Sequence, residues 1–280
     1  MSRTPFLSAA LIALLALSAC GGGGGSDSGG GSSGNAYTAF SQRDITRTST
    51  IGGHVVINGS SAEIRQIQAS LSHNEGALTG FTDGTNTLND SDGDDAGTWT
   101  NGTITLQPSD AQQGNYDYVA LYKLVIGGGD GGPMVIGAIT ATSDIPTSGS
   151  ATFSGEAFID GSTTDSSGPS LTSTGTATVN VDYSGAVDLT ITNVSGVPYD
   201  TITVTGMSLN PSARNTFSGG TLAIMNGSSD VTGDLIGTAP TLDAQGSFFG
   251  ADGSGDPDEV GGVFAVEGAN GEAYGGFLAD

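Results

Sequence analysis

Apolar and polar positions alternate with a period of two in short runs along this chain, as in Tyr116 to Leu124, Gly175 to Tyr183 and Asp200 to Thr205. That spacing sets one face of a strand on a core and the other in water, which predicts antiparallel β-structure. Turn signals separate the runs: Asn-Gly begins at 58, 101, 226 and 270, and Asp-Gly at 83, 92, 130, 160 and 252. Type I′ hairpin turns need positive φ, which these dipeptides supply, so they predict a meander of antiparallel strands. Only Ser61 to Ser70 suggests a helix, with Ala62, Ile64, Ile67 and Leu71 on one stripe. The stretch from Thr82 to Thr98 carries Asp83, Asp90, Asp92, Asp94 and Asp95 with little apolar content, and reads as an exposed loop ending at Trp99.

The amino terminus is patterned differently. Arg3 precedes an apolar run from Phe6 to Leu17, too short for a spanning helix, and small residues follow it. Leu17-Ser18-Ala19-Cys20 resembles a bacterial lipobox, which implies removal of residues 1–19 and diacylglycerol on the Cys20 thiol. Two or more acyl chains anchor a protein stably where one does not. Residues 20–35 are then the lipidated cysteine and a tether of Gly and Ser that behaves as a flexible coil. No later window is apolar enough for a membrane helix. The remainder divides into a β-rich amino-terminal part, 36–114, and a second part, 115–280.

Charge narrows the partners. Against 29 Asp and Glu stand 6 Lys and Arg, a formal charge of −23. Such a chain does not bind nucleic acid or an anionic membrane face through charge, which leaves basic proteins, cations, or ligands held by hydrogen bonds and apolar contacts. Acidity also serves solubility alone. Cys20 is the only cysteine, so no disulfide forms within the chain and stability rests on the sheet and its core. Val, Ile, Thr, Phe and Tyr recur throughout, unlike a disordered tract.

Candidate chemistry is sparse. Asp90, Asp92 and Asp94 cluster oxygen ligands of the kind calcium takes, but Asn101 stands where an EF-hand loop has its bidentate glutamate. Asp252 to Glu259 is a second acidic stretch. Gly127-x-Gly129-x-x-Gly132 runs into Pro133 and a strand-like segment, so it is a turn rather than a dinucleotide fingerprint. Gly30 to Gly34 matches Gly-x-Ser-x-Gly inside the tether, where no nucleophile elbow forms. His54 and His73 have no second histidine or cysteine at metal-ligand spacing, and no triad is visible. These readings point away from an enzyme and from a cofactor. Trp99 and Tyr116, with Tyr118 and Tyr122, are the contact candidates on chemical grounds, although a tyrosine spacing of this kind also lines a barrel.

The carboxyl-terminal third carries a resemblance. Gly246-Ser-Phe248-Phe249-Gly250, then Glu259-Val-Gly261-Gly262-Val-Phe264, then Gly275-Gly276-Phe277-Leu-Ala279 are similar to the closing strands of the transferrin-binding protein B β-barrel family. Upstream, Gly137-Ala-Ile-Thr140 and Ile145-Pro-Thr-Ser-Gly149-Ser-Ala-Thr-Phe153-Ser-Gly155 match another of that family's blocks in the same order. The resemblance covers 115–280, with Ala251 in place of the family's proline and Pro257 displaced downstream. It implies an all-β fold in which the meander closes into an eight-stranded barrel. Phe248, Phe264 and Phe277 stand at inward-compatible positions beside glycines, which permit close strand approach. For a single-lobe member of this length it further implies a non-catalytic surface lipoprotein of the outer membrane. Its ligand would be a host or environmental protein or an iron- or haem-bearing molecule, and a TonB-dependent receptor would be a partner. A structural or adhesive envelope role without a nutrient ligand is the competing reading.

Overall fold

The structure, a computed structural model, describes residues 49–57, 63–71, 78–82, 87–89, 98–108, 116–127, 131–165, 168–251 and 256–280. Among the described Asn-Gly pairs the glycine supplies the turn at 102 and 227, but neither asparagine before it has positive φ, so these are not the type I′ turns that the dipeptide predicts. Gly102 has φ 84° and Asn101 Oδ1 accepts the N–H groups of Thr103 and Ile104 at 3.0 and 2.9 Å, while Gly227 has φ 60° and Asn270-Gly271 opens the last strand. Asp160-Gly161 is the exception. It lies inside a 14-residue strand, because the last strand of the chain pairs straight through it, Ala273 opposite Gly161 and Tyr274 opposite Asp160.

The first eight strands form one antiparallel sheet: β1 (Ser49–Ile57), β2 (Glu63–Leu71), β3 (Leu78–Thr82), β4 (Thr87–Asn89), β5 (Trp99–Thr100), β6 (Ile104–Pro108), β7 (Val119–Ile126) and β8 (Gly131–Gly137). Their spatial order is β4-β3-β2-β1-β8-β7-β6-β5. The sheet curls until its two edges approach, and Asn101 Nδ2 donates to the Thr87 carbonyl at 3.1 Å.

Three sequence expectations fail in this region. Residues 63–71 form a strand, not a helix. A helix that short is marginal in water, whereas pairing with β1 from Ser49↔Leu71 to Ile57↔Glu63 engages the whole segment. Thr87–Asn89, expected in a loop, is β4, because Leu88 between two polar residues is 2% exposed and joins the core. The third concerns residues 119–137, which the resemblance assigns to the barrel. They belong to the first sheet: β8 pairs with β1 from Gly52↔Gly137 to Val55↔Met134, and β7 pairs with β8.

The barrel begins at Ser150. Its strands are β9 (Ser150–Thr163), β10 (Ser173–Asp182), β11 (Ala186–Thr192), β12 (Thr201–Leu209), β13 (Thr216–Ser218), β14 (Thr221–Asn226), β15 (Ser229–Asp230), β16 (Thr241–Phe249), β17 (Glu259–Glu267) and β18 (Gly271–Ala279), with a one-turn helix α1 (Thr232–Leu235) before β16. Eight of them, β9-β10-β11-β12-β13-β16-β17-β18, close into an antiparallel ring through β18–β9 and β11–β12, and β14 and β15 extend from β12. Closure removes the open edges that Gly- and Thr-rich strands would otherwise present.

Three phenylalanines inside the ring lie over glycines directly opposite them: Phe217 over Gly246, Phe277 over Gly262 and Phe264 over Gly275. A Cβ on Gly262 would stand 2.8 Å from the Phe277 ring, and those on Gly246 and Gly275 closer still to theirs. The missing side chains are therefore the space that the rings fill. Phe248 sits at the centre, with ring centroids of Phe217, Tyr183 and Phe153 at 5.6, 6.0 and 6.4 Å. Gly275→Val should cost about 1–3 kcal/mol by overpacking, read as a shifted urea midpoint, while Gly233→Ala, with nothing within 4 Å of its added Cβ, should cost nothing.

Candidate functional site

β7 and β8 are apolar at every position but Lys123, and β1 is buried from Gly53 to Ile57, so both faces of the sheet are buried there. One face, with Val55, Ile57, Ala120, Tyr122, Leu124 and Met134, packs inside the curl against Leu88, Ile104 and Leu106. The opposite face, with Val56, Val119, Leu121 and Val135, packs on the outer wall of the barrel against Phe249, Val263, Ala265, Tyr274 and Leu278. The outer wall of β16–β18 is thus a second core. The buried polar side chains of His54, Thr140, Ser247 and Glu259 lie along this seam between sheet and barrel.

Each glycine pair serves both walls of a strand. Gly262 and Gly275 face inward under phenylalanines, while a Cβ on Gly261 would meet Val135 Cγ1 at 2.9 Å and one on Gly276 would meet Leu121 Cδ1 at 2.6 Å. Gly250, with φ 63°, lies under the ring of Tyr118. A Cβ on Gly155 would stand 2.5 Å from the Tyr116 hydroxyl.

Polar groups fix the seam in register. The Glu259 carboxylate, 3% exposed, accepts the N–H groups of Asp117 and Tyr118 at 2.5 and 2.9 Å, one on each oxygen. Tyr116 donates its hydroxyl to the Leu278 carbonyl at 3.3 Å, and Thr140 Oγ1 donates to the Gly250 carbonyl at 2.7 Å. Burial, then the nearby carboxylates Glu156 and Asp280, push the Tyr116 phenol well above its ordinary value. Burial also raises Glu259 to about 7 against the pull of the two amides, and Asp258 and Asp117 add to the rise.

His54, on β1, faces the barrel and is 2% exposed, with Nε2 2.9 Å from Ser247 Oγ. A serine and an imidazole at that distance are the first two parts of a nucleophilic site. Here Ser247 is fully buried and His54 Nδ1 has no hydrogen-bond partner, so neither substrate access nor an orienting acid is present at this pair. Among the described residues, no group of three His, Cys, Asp or Glu side chains is placed to hold a metal.

The candidates read from the sequence scatter across this map. Tyr116 is buried in the seam at 8% exposure, which uses its surface against the barrel instead of offering it to a ligand, and Tyr122 is buried inside the curl of the sheet. Trp99 lies on the edge strand β5, paired with Leu106. Cys20, Asp90, Asp92 and Asp94 lie outside the described residues. Gly149 has φ 96° and an open environment at the entry to β9. Sequence does not single out the pairing of His54 with Ser247. The one available signal is the phase of β1, in which His54 shares a face with Val56. On the outer wall of β9 and β10, an open depression of 390 Å³ is lined by Glu156, Thr174, Thr176 and Asn193 over the backbone of Gly155 and Gly175.

This arrangement of sheet and barrel recurs among solved structures. A double mutant of the vaccine antigen transferrin binding protein B (TbpB) from Haemophilus parasuis is similar at a TM-score of 0.53 and 17% identity, over 82% of this chain and 44% of that one. A single mutant of the same antigen gives 0.51 and 16%, over 82% and 45%. Over the residues matched, the molecule has the fold of part of TbpB. The likeness extends well beyond the barrel alone, and the chain spans less than half the length of those TbpB structures. HpuA of Kingella denitrificans, solved with human haemoglobin, overlays at 0.40 and 14% identity across 88% of this chain and 95% of that one, too loosely to bear on the fold. No protein-family model matches the sequence, and no curated protein does.

Burial lowers His54 from 6.5 to about 4. Its folded value lies below the unfolded one, so the stability present above pH 6.5 is lost as pH falls toward 4. The stability advantage of the wild type over His54→Gln should accordingly shrink by about tenfold in the unfolding constant per pH unit within that window, as measured by denaturant titrations at stepped pH.

Proposed function

We propose that this chain is a lipid-anchored outer-membrane protein that captures a protein or an iron- or haem-bearing ligand at the cell surface, without catalysis, as an accessory to nutrient uptake. The observation that carries this reading is the sheet-on-barrel architecture shared with TbpB. That architecture puts a curled sheet, with short edge strands and acidic connections, on a rigid barrel. The step from fold to function is an analogy, since a fold hosts more than one function. Sequence features add weight: the lipobox-like Leu17 to Cys20, the Gly/Ser tether behind it, and the net charge of −23, which suits a ligand with a basic face.

Cys20 is the lipidation site in this proposal, and the tether lets the folded part stand clear of the membrane. Trp99, on the edge strand of the first sheet, is the contact residue in this proposal, because tryptophan is enriched in binding hot spots. Asp90, Asp92 and Asp94 give the neighbouring connection its charge. Family motif glycines and phenylalanines, from Gly149 and Gly155 to Gly275 and Phe277, are scaffold in this reading and touch no ligand. A TonB-dependent receptor is the expected membrane partner.

Two measurements test the proposal. Cells fed an alkyne-tagged fatty acid should label the wild-type protein and leave Cys20→Ala unlabelled; equal labelling of both removes the anchor. The chain from Gly21 to Asp280, immobilised and exposed to iron-carrying host proteins, haem and ferric chelates, should retain one of them saturably. Trp99→Ala should then weaken that retention by at least tenfold. Retention of envelope components alone would favour the adhesive role.

A further inference from the structure

The chain enters β7 through Tyr116, Asp117 and Tyr118, and this segment is fastened across to the barrel. Tyr116 donates to the Leu278 carbonyl at 3.3 Å, and the ring of Tyr118 covers Gly250. Between them, two successive main-chain N–H groups point at one side chain, the Glu259 carboxylate, at 2.5 and 2.9 Å. Glu259 begins β17 opposite Phe249 and is 3% exposed. A buried carboxylate usually has a cation beside it. Among the described residues, the charged groups that act on this one are acidic: Asp258 on the approach to β17 and Asp117 on the approach to β7. Glu156 on β9 and Asp280 at the carboxyl terminus face the adjoining Tyr116 hydroxyl, and Asp258, Asp117 and Glu259 face Tyr118.

We propose that Glu259 is a proton-operated latch that holds the entry of β7 against the barrel when protonated and loosens it when ionised. The reason is a conflict built into the geometry. Two amide donors favour the carboxylate, while dry surroundings and two like charges disfavour it. The sign follows from linkage. A closed latch binds its proton more tightly than one opened to water, so protons favour the closed seam. The extra hold is complete below the ordinary carboxyl value of 4.5 and is lost as pH rises from there to about 7, the value of the buried group. Above that, both states are ionised and the seam stays at its looser level. Strand β6 pairs with β7, and β5 with β6, so the loosened element includes the edge strand that carries Trp99. The latch does not depend on the proposed ligand-capture role.

Hydrogen exchange of the full-length protein in detergent, followed by mass spectrometry across pH 5–8, tests the latch. After correction for intrinsic exchange, the opening constant for the peptide covering 116–124 should rise by up to about tenfold per pH unit until pH reaches about 7, then level off. A barrel peptide covering 175–183 should show no such rise. Glu259→Gln should remove the rise. His54 titrates over part of the same range in the opposite sense, and this variant retains it, so the difference between the two profiles belongs to Glu259. Should that variant fail to fold, Asp258→Asn leaves the two amide bonds intact. It should make the rise smaller and end it at lower pH, because removing a neighbouring negative charge makes ionisation of the closed latch easier. A flat wild-type profile, an undiminished rise in Glu259→Gln, or a rise in Asp258→Asn that continues to higher pH would overturn the proposal.

Discussion

The structure depends on one constraint: strands β16, β17 and β18 are buried on both sides. Their inner wall packs the barrel core and their outer wall packs the first sheet, along nearly all of β17 and β18 and over Gly246 to Phe249 of β16. Two cores then meet across a single layer of backbone. The layer has to be thin, and glycine is the residue that makes it thin. Glycine in a strand is ordinarily a weakness, but each glycine of the paired motifs here is opposed by a ring from the paired barrel strand or by a branched side chain from the first sheet, which restores the contact that the absent Cβ gives up.

The same constraint explains the polar chemistry of the seam. A sheet packed on a barrel brings backbone ends and side-chain polar atoms into a dry space, where an unmade hydrogen bond is costly. Long-range bonds satisfy them: Glu259 with the amides of Asp117 and Tyr118, Tyr116 with Leu278, Thr140 with Gly250, and Asn215 Nδ2 with the Thr140 carbonyl. His54 Nδ1 remains without a partner. The chain therefore fastens its halves with contacts between distant residues, and His54 and Ser247, 193 residues apart, are among them.

How far the fold is legible follows from which signals are local. Period-2 alternation, Asn-Gly turns and the two motif blocks point to an antiparallel barrel, and its closing aromatics do lie inside. A boundary at 115 misses the true start of the barrel because strands buried on both faces look alike wherever they sit. Tyr116 to Leu124 reads as a period-2 strand with one wet face, yet Val119 to Ile126 is apolar at every position but Lys123, and nothing within it says which sheet it joins. Strand β2 mimics a helix because Ile64, Ile67 and Leu71 fit a 3.6 period when seen alone, while its pairing partner is a separate run rich in β-branched residues. Of the site, Glu259 is visible as part of a motif, yet its role as the acceptor for two distant amides depends on tertiary contact. Tyr116 stands out for its aromaticity, and burial gives it a different task.

Each double glycine divides its two positions between two neighbours, one in the barrel and one in the sheet. Gly261 belongs with Val135 and Gly262 with Phe277; Gly276 belongs with Leu121 and Gly275 with Phe264. A side chain added at Gly261 or Gly276 fits only if Val135 or Leu121 becomes smaller, and a larger residue at 135 or 121 has no side chain opposite it left to trim. Substitutions at these positions of the two halves are therefore coupled, and a chimera that joins this barrel to a sheet with larger side chains at 121 and 135 has a mismatched joint, however well each half folds by itself.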